Sequence, residues 1–412
     1  MAGRLQVRPH GFGWQQLKWA KLAFGIGILS LVSACTGLSF PQVGSPFPST
    51  GATQLPTDSL PPAAGQVLGT GPVRVALLLP LSGDVAPVGQ SMANAAQLAM
   101  EFIEQTPTIN SNITLVIKDT AGNPSVAASR ASEAVREGAK LILGPLKAES
   151  VLSAGAVARS SGVPIIGFSN NSGAAAPGVY LLNVLPETEL KRTLSYAQSQ
   201  GRRAFAAIVP NTSFGQIQEG AFRQAAADLG LTVRAVYRFS NEEEARSAVA
   251  QAIPFLQDGS IDALFIPDRS TAPSFGVLLE EAGVDKSNLM LIGSLDWTGD
   301  TTIPQTSYLA GAIFPAVDDA GLAALTPQYQ ASFGVPPHAL STISYTATLL
   351  ANSQSLSQSL PPYDQGQLTR ASGFNGRDGL FRFLADGRSQ YALTIKQVVI
   401  GGMQTVDAAK IP

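Results

Sequence analysis

The chain has 412 residues, 45% of them hydrophobic and 14% charged, with a formal net charge of −2 and a single cysteine. That length suits two ordinary domains and supplies enough apolar surface for a core without cross-links. The near-neutral balance, with no basic tract, excludes an electrostatic footprint for nucleic acid, and one cysteine excludes a disulfide framework.

At the N-terminus Arg4, Arg8, Lys18 and Lys21 stand without an acidic residue, followed by an apolar run over 22–32 and then Ser33-Ala34-Cys35. Basic, apolar and small regions in this order make a bacterial export signal. The run is shorter than the roughly 20 apolar residues of a spanning anchor. Leu31-Val32-Ser33-Ala34-Cys35 resembles a lipoprotein lipobox. The resemblance implies that residues 1–34 are removed and that Cys35 is acylated, tying the protein to a lipid bilayer. Two or three acyl chains would hold it durably, each buried methylene adding about 0.8 kcal/mol. Loss of 1–34 takes away four positive charges and moves the net charge from −2 to −6. Thr36 in place of Asp implies sorting to the outer membrane of a Gram-negative bacterium, on the periplasmic side. Residues 35–72, with Pro41, Pro46, Pro48, Pro56, Pro61 and Pro62 and almost no charge, cannot form a core and read as a flexible tether. At about 3 Å per residue it would reach roughly 60 to 100 Å.

From Val73 onward short apolar runs alternate with amphipathic segments, the pattern of a parallel sheet covered by helices. Strands are expected at 74–79, 113–119, 140–144 and 164–168, and helices at 91–104, 124–137 and 149–160. After Pro186 the rhythm restarts. Helices are expected at 187–199, 215–229, 243–256 and 274–282, and strands at 204–209, 232–239, 263–267, 289–294 and 309–315. Further helices follow at 323–333 and 341–356, and the tail 373–406 reads as strands joined by turns. The fold class is therefore α/β, with two doubly wound parallel-sheet lobes.

In open parallel sheets ligands sit beyond the carboxyl ends of the strands, where helix N-termini present free N–H groups. Candidate cleft residues on that rule are Ser82, Gly83, Asp84, Lys147, Ala148, Glu149, Ser169, Asn170, Asn171, Ser172, Phe214, Asp268, Asp296 and Trp297. Ser, Asn and Asp also serve there as ordinary caps and turn residues.

Leu77-Leu78-Leu79-Pro80-Leu81-Ser82-Gly83, Gly89, Asp119, Ile142-Leu143-Gly144-Pro145, Val163-Pro164-Ile165-Ile166, Phe214-Gly215 and Gly379-Leu380-Phe381-Arg382-Phe383 follow in an order that resembles the leucine/isoleucine/valine-binding family of type I periplasmic binding proteins. The resemblance implies two lobes, a chain crossing between them three times, and a ligand cleft at the hinge. Crossings are expected near Pro186, Phe314 and Ser357, giving lobe one as 73–187 with 316–356 and lobe two as 188–315 with 357–412. It also implies an amino-acid site whose carboxylate meets hydroxyls and amides and whose ammonium meets an acid and an aromatic of the second lobe. Here Lys147 or Ala148 stands at a hydroxyl position and Phe214 where a tyrosine is frequent, so that grip is incomplete.

Catalysis has little support: the chain carries no Gly-x-Ser-x-Gly elbow, no His-Glu-x-x-His pair and no Walker loop. After signal removal only His338 remains, which suits a cap better than a base and excludes a zinc cluster. No cofactor is expected. The reading is a non-catalytic, lipid-anchored module. Lipobox, tether and a drifted ligand site together are similar to the penicillin-binding protein activators, which implies regulation of peptidoglycan synthesis through contact with a synthase. The alternative is the substrate-binding lipoprotein of a branched-chain amino acid importer.

Overall fold

The run Val73–Leu79 has no polar face, and from Arg74 to Leu79 every residue is buried, so it can only lie in a sheet covered on both sides. The computed structural model describes residues 62–412. The export signal, Cys35 and the tether up to residue 61 lie outside the described residues.

Six strands form the first sheet: β1 (Gln66–Leu68), β2 (Val73–Leu79), β3 (Ile113–Asp119), β4 (Leu141–Leu143), β5 (Ile165–Gly167) and β6 (Val179–Leu181), in the order β1-β3-β2-β4-β5-β6. All pairs are parallel except β1–β3. Alternation along β2 sends Val75, Leu77 and Leu79 to one face, against Met92, Ala96 and Met100 of α1 (Ala86–Gln105). Ala76 and Leu78 face the other way, onto Ala127 and Ala131 of α2 (Pro124–Arg136) and Val151 and Ala154 of α3 (Ala148–Ser160).

The tether expected to run to residue 72 ends earlier, because Gln66–Leu68 adds an edge strand to β3. Its root is pinned by charge: Ala64 N donates to Glu137 Oε1 at 2.9 Å, and the buried Lys118 ammonium donates to Ala64 O and to Glu137.

The second lobe starts with α4 (Pro186–Ser199). It continues through β7 (Ala204–Pro210), α5 (Ser213–Asp228), β8 (Thr232–Phe239), α6 (Glu242–Gln257), β9 (Ala263–Phe265), α7 (Ala272–Glu281), β10 (Met290–Ile292) and β11 (Ile313–Ala316). The same alternation works here. Phe205, Ala207 and Val209 of β7 pack on Leu190 and Leu194 of α4 and Phe222 of α5, while Ala206 and Ile208 pack on Val249 of α6 and Phe275 of α7.

The chain then returns to lobe one as α8 (Ala320–Phe333) and α9 (Ser341–Asn352), which pack on α1. Two single-turn helices, α10 (Gln354–Ser357) and α11 (Gln365–Leu368), lead into β12 (Phe374–Gly376), β13 (Gly379–Phe383) and β14 (Ser389–Tyr391), a separate three-stranded sheet. Only β15 (Leu393–Val399) and β16 (Gly402–Lys410) join the second sheet, whose order is β16-β15-β11-β10-β9-β7-β8.

The last crossing, expected near Ser357, therefore falls at Ala392 in the structure. Phe374, Phe381, Phe383 and Tyr391 belong to the core of lobe one. The turn Asp386-Gly387 explains why: Gly387 O accepts from Leu181 N at 2.9 Å, and a β-carbon at Gly387 would lie 2.0 Å from Val179 O. That approach, at φ +89°, is open only to glycine, and it locks the hairpin against β6.

Candidate functional site

The carboxyl ends of both sheets face a cavity of about 700 Å3 between the lobes. On the lobe-one side the loop after β2 is held by Asp119, whose carboxylate accepts from Leu81 N at 2.8 Å, Ser82 Oγ at 2.6 Å and Ala121 N at 2.7 Å. Burial works against its charge, yet these donors hold its carboxyl below the ordinary value. The loop so fixed presents Asp84, which pairs with Lys147 Nζ at 2.9 and 3.0 Å. The Lys147 hydrogen bond keeps the Asp84 carboxyl low, and the pair stands at the solvent edge of the cleft. Lys147 precedes α3 and leaves its N-terminus without a side-chain cap, so Ala148 and Glu149 meet the cavity with free backbone N–H groups.

After β5, Phe168 closes the floor and Ser169, Asn170 and Asn171 line the wall. Asn171 caps a following turn, accepting from Gly173 N at 3.0 Å, and Asn183 donates to Phe168 O at 2.8 Å.

Lobe two contributes a different surface. Phe214 and Ile217, in the first turns of α5, are 36% and 39% exposed and form an apolar wall. Arg269 lies 3.8 Å from Asp296 at the solvent edge, mirroring the pair on lobe one. Deeper lie Glu189 of α4 and Gln218 of α5, 3% and 4% exposed. Glu189 Oε1 accepts from Leu295 N at 2.8 Å. Burial pushes the Glu189 carboxyl up to about 7, against hydrogen bonds from Leu295 and Gln218 and with the repulsion of Asp296 and Glu187. Gln218 Oε1 and Thr298 Oγ1, on two cavity-lining residues, are buried without a hydrogen-bond partner.

The tail completes the site. Asp378, in the turn between β12 and β13, accepts from Thr342 Oγ1 at 3.0 Å. Burial raises its carboxyl to about 6, with Asp318 adding to the effect. Burial and Asp378 together drive the neighbouring Tyr391 hydroxyl well above its usual value. His338 meets the cavity as a turn residue: its Nδ1 accepts from Leu340 N at 3.1 Å, and burial holds its ring below the ordinary value.

Of the expected cleft residues, Lys147, Ala148, Glu149, Ser169, Asn170, Asn171, Phe214 and Asp296 converge on the cavity. Ser82 and Gly83 instead shape the loop that carries Asp84. Ser172 hydrogen-bonds Glu187, and Asp268 caps its own turn by accepting from Ser270 N at 2.9 Å. Trp297 is a correction: it is fully buried, packed on Phe314 and on Gly293, where a β-carbon would lie 2.2 Å from the indole. Glu189, Gln218, Thr342, Asp378 and Tyr391 were not expected. The signal open to a sequence reader was a polar residue on a buried helix face, Glu189 beside Leu190 and Gln218 one turn before Phe222.

Cations from both lobes at the solvent edge, an apolar wall and an acceptor-rich floor thus line one cavity between the two sheets. The chain belongs to the periplasmic binding protein family, whose model matches residues 72–370. A Leu/Ile/Val-binding protein, BraC3, of Rhizobium johnstonii is 28% identical over 95 residues, a stretch that is 23% of this chain and 26% of that protein. An ABC transporter substrate-binding protein from Desulfitobacterium hafniense in complex with Leu superposes with a TM-score of 0.60 at 15% identity, covering 81% of this chain and 99% of that one. The branched-chain amino acid transporter substrate binding protein LivJ from Streptococcus pneumoniae in complex with isoleucine gives 0.56 at 18% identity, covering 82% and 99%. These likenesses establish the type I periplasmic binding protein fold.

Proposed function

We propose that the protein is a transport receptor, the substrate-binding component of an ABC importer for a small zwitterion of the apolar amino-acid class. The observation that carries this is the polarity of the cleft. Lys147 and Arg269 offer positive charge from opposite lobes, Glu189, Gln218 and Asp378 offer acceptors on the floor, and Val88, Leu146, Phe214, Ile217 and Ile343 lie among them. Lys147, which with Ala148 stands where the family resemblance implies a hydroxyl, supplies a charge there, so the carboxylate grip is altered rather than lost. The amino-acid receptors among the relatives favour this reading over a regulator of peptidoglycan synthesis. The role is binding by lobe closure, not catalysis. Cys35 would anchor the receptor to the membrane, and palmitate labelling should follow Cys35 and vanish in Cys35→Ser.

The decisive test is calorimetry and thermal shift with an amino-acid panel. A ligand at 100 times its Kd should stabilise the protein by about 2.7 kcal/mol. Silence across the panel, with capture of a purified penicillin-binding protein, would instead favour the regulator.

A further inference from the structure

Lobe one holds a second cavity, of about 380 Å3, between α1, α9 and the β12–β13 hairpin. That size falls within the range of about 300–1,000 Å3 typical of small-molecule pockets. It shares no lining residue with the cleft between the lobes. The turn between β12 and β13 divides the two: Asp378 lines the cleft, and its neighbour Arg377 lines the second cavity. The same turn is fixed to α9 on both sides, since Asp378 accepts from Thr342 Oγ1 at 3.0 Å and Arg377 N donates to Thr346 Oγ1 at 2.9 Å.

The lining has one sign of charge. Arg370 and Arg377 both contribute to it, and no acid does, in a chain whose net charge is negative. Packing accounts for part of their placement: Arg370 Cζ lies 4.1 Å from the centre of the Phe374 ring and Arg377 Cζ 4.4 Å from that of Tyr345. A ring face attracts the charge but gives the guanidinium N–H groups no lone pair. Arg370 Nε donates to Gly373 O at 3.0 Å, whereas the Arg377 side chain has no acceptor among the described residues, and neither guanidinium is paired there with a carboxylate. Ser353, on the same lining, has its Oγ buried without a hydrogen-bond partner. These unused donors call for acceptors and negative charge. Around them Phe102, 41% exposed, with Leu349 and Phe374, presents carbon that gains by being covered. A carboxylate matches the donors, because a guanidinium meets it through two parallel N–H···O bonds. An apolar body matches the rest.

We propose that this cavity is a second ligand site, distinct from the cleft, which takes a small carboxylate with an aryl or alkyl body. The carboxylate meets Arg377 and Arg370, and the body lies against Phe102, Leu349 and Phe374.

The test is calorimetry on the full-length protein in detergent, with matched detergent blanks. The probes are 4-phenylbutanoate, its neutral amide, and acetate, which is the head without the body. Wild type should bind 4-phenylbutanoate at least tenfold more tightly than the amide or acetate. Arg377→Gln should lose about 10- to 100-fold in affinity for 4-phenylbutanoate, the range of a charge-assisted hydrogen bond. Its unliganded melting temperature should stay close to that of wild type, since no side-chain hydrogen bond is removed. Arg377→Lys is the second variant if Arg377→Gln does not fold; it keeps the charge, loses the planar fork and should bind more weakly than wild type. Phe102→Ser should weaken 4-phenylbutanoate and leave acetate unchanged. Binding of 4-phenylbutanoate that persists undiminished in the Arg377 variants belongs to the cleft and overturns the proposal. So does an amide bound as tightly as the acid, or a wild type that binds 4-phenylbutanoate no better than acetate.

Discussion

The two lobes share one construction and differ in what they show the cleft. In each, a proline at or just after the end of the first central strand has its carbonyl approached by a glycine of the next helix. A β-carbon on Gly89 would lie 2.0 Å from Pro80 O, and one on Gly215 would lie 1.8 Å from Pro210 O. Each thereby brings a helix start close to the carboxyl edge of its sheet. Lobe one places there a solvent-exposed ion pair, Asp84–Lys147, and lobe two adds a buried, under-satisfied acid–amide pair, Glu189–Gln218. Equal backbones thus carry unequal chemistry. Exposed charges are cheap and adjustable, whereas a buried acceptor constrains what may sit beside it.

The largest way to break the comparison is through the cores. Phe381 in lobe one and Phe265 in lobe two are both almost fully buried against aromatic neighbours. Each, cut to alanine, should cost about 3–5 kcal/mol in denaturant unfolding. If Phe381→Ala left lobe one intact by hydrogen exchange, the assignment of the tail hairpin to that lobe would fail.

Next come the matched glycines. Gly89→Ala and Gly215→Ala should each cost about 1–3 kcal/mol, the range for overpacking, and the two losses should be alike. A neutral result at either position would show that the lobes do not share this joint.

Titration sharpens the contrast further. Glu189 and Asp378 have folded values near 7 and near 6, raised by burial above the ordinary 4.5 and 3.8. Between those limits the native state holds more protons than the unfolded chain, so unliganded stability should fall as pH rises from about 4 to 7. Each group contributes at most about 1.4 kcal/mol per pH unit. Glu189→Gln should flatten the upper part of the profile and Asp378→Asn the lower part.

The smallest effect belongs to the exposed pair of lobe one. Asp84→Asn should leave the melting temperature unchanged, since such pairs are screened by solvent. Lys147→Met should weaken leucine binding in calorimetry, since it removes the positive charge that Lys147 offers to the cleft.

Much of this was legible from local pattern. The run 74–79, the helix faces of α1 and α5, and the polar loops following the strands all repeat at periods that a sequence displays directly. Lys147, Ser169, Asn171, Phe214 and Asp296 reached the cavity because loops after parallel strands have nowhere else to go. Trp297 misled, because an aromatic next to such a loop can fold under it as readily as over it. Asp378 carries no local signal of its place, and only the docking of the tail brings it to Thr342.

By itself the sequence determined the alternation of central strands and helices and the two-faced burial of strands such as β2, since these depend on neighbours within a few residues. The tertiary structure decided where the chain last changes lobes and which polar side chains share the floor of the cleft. Gly387 meets Val179 and Gln218 meets Glu189 only after distant segments have packed, and their chemistry follows from burial, which no local pattern records.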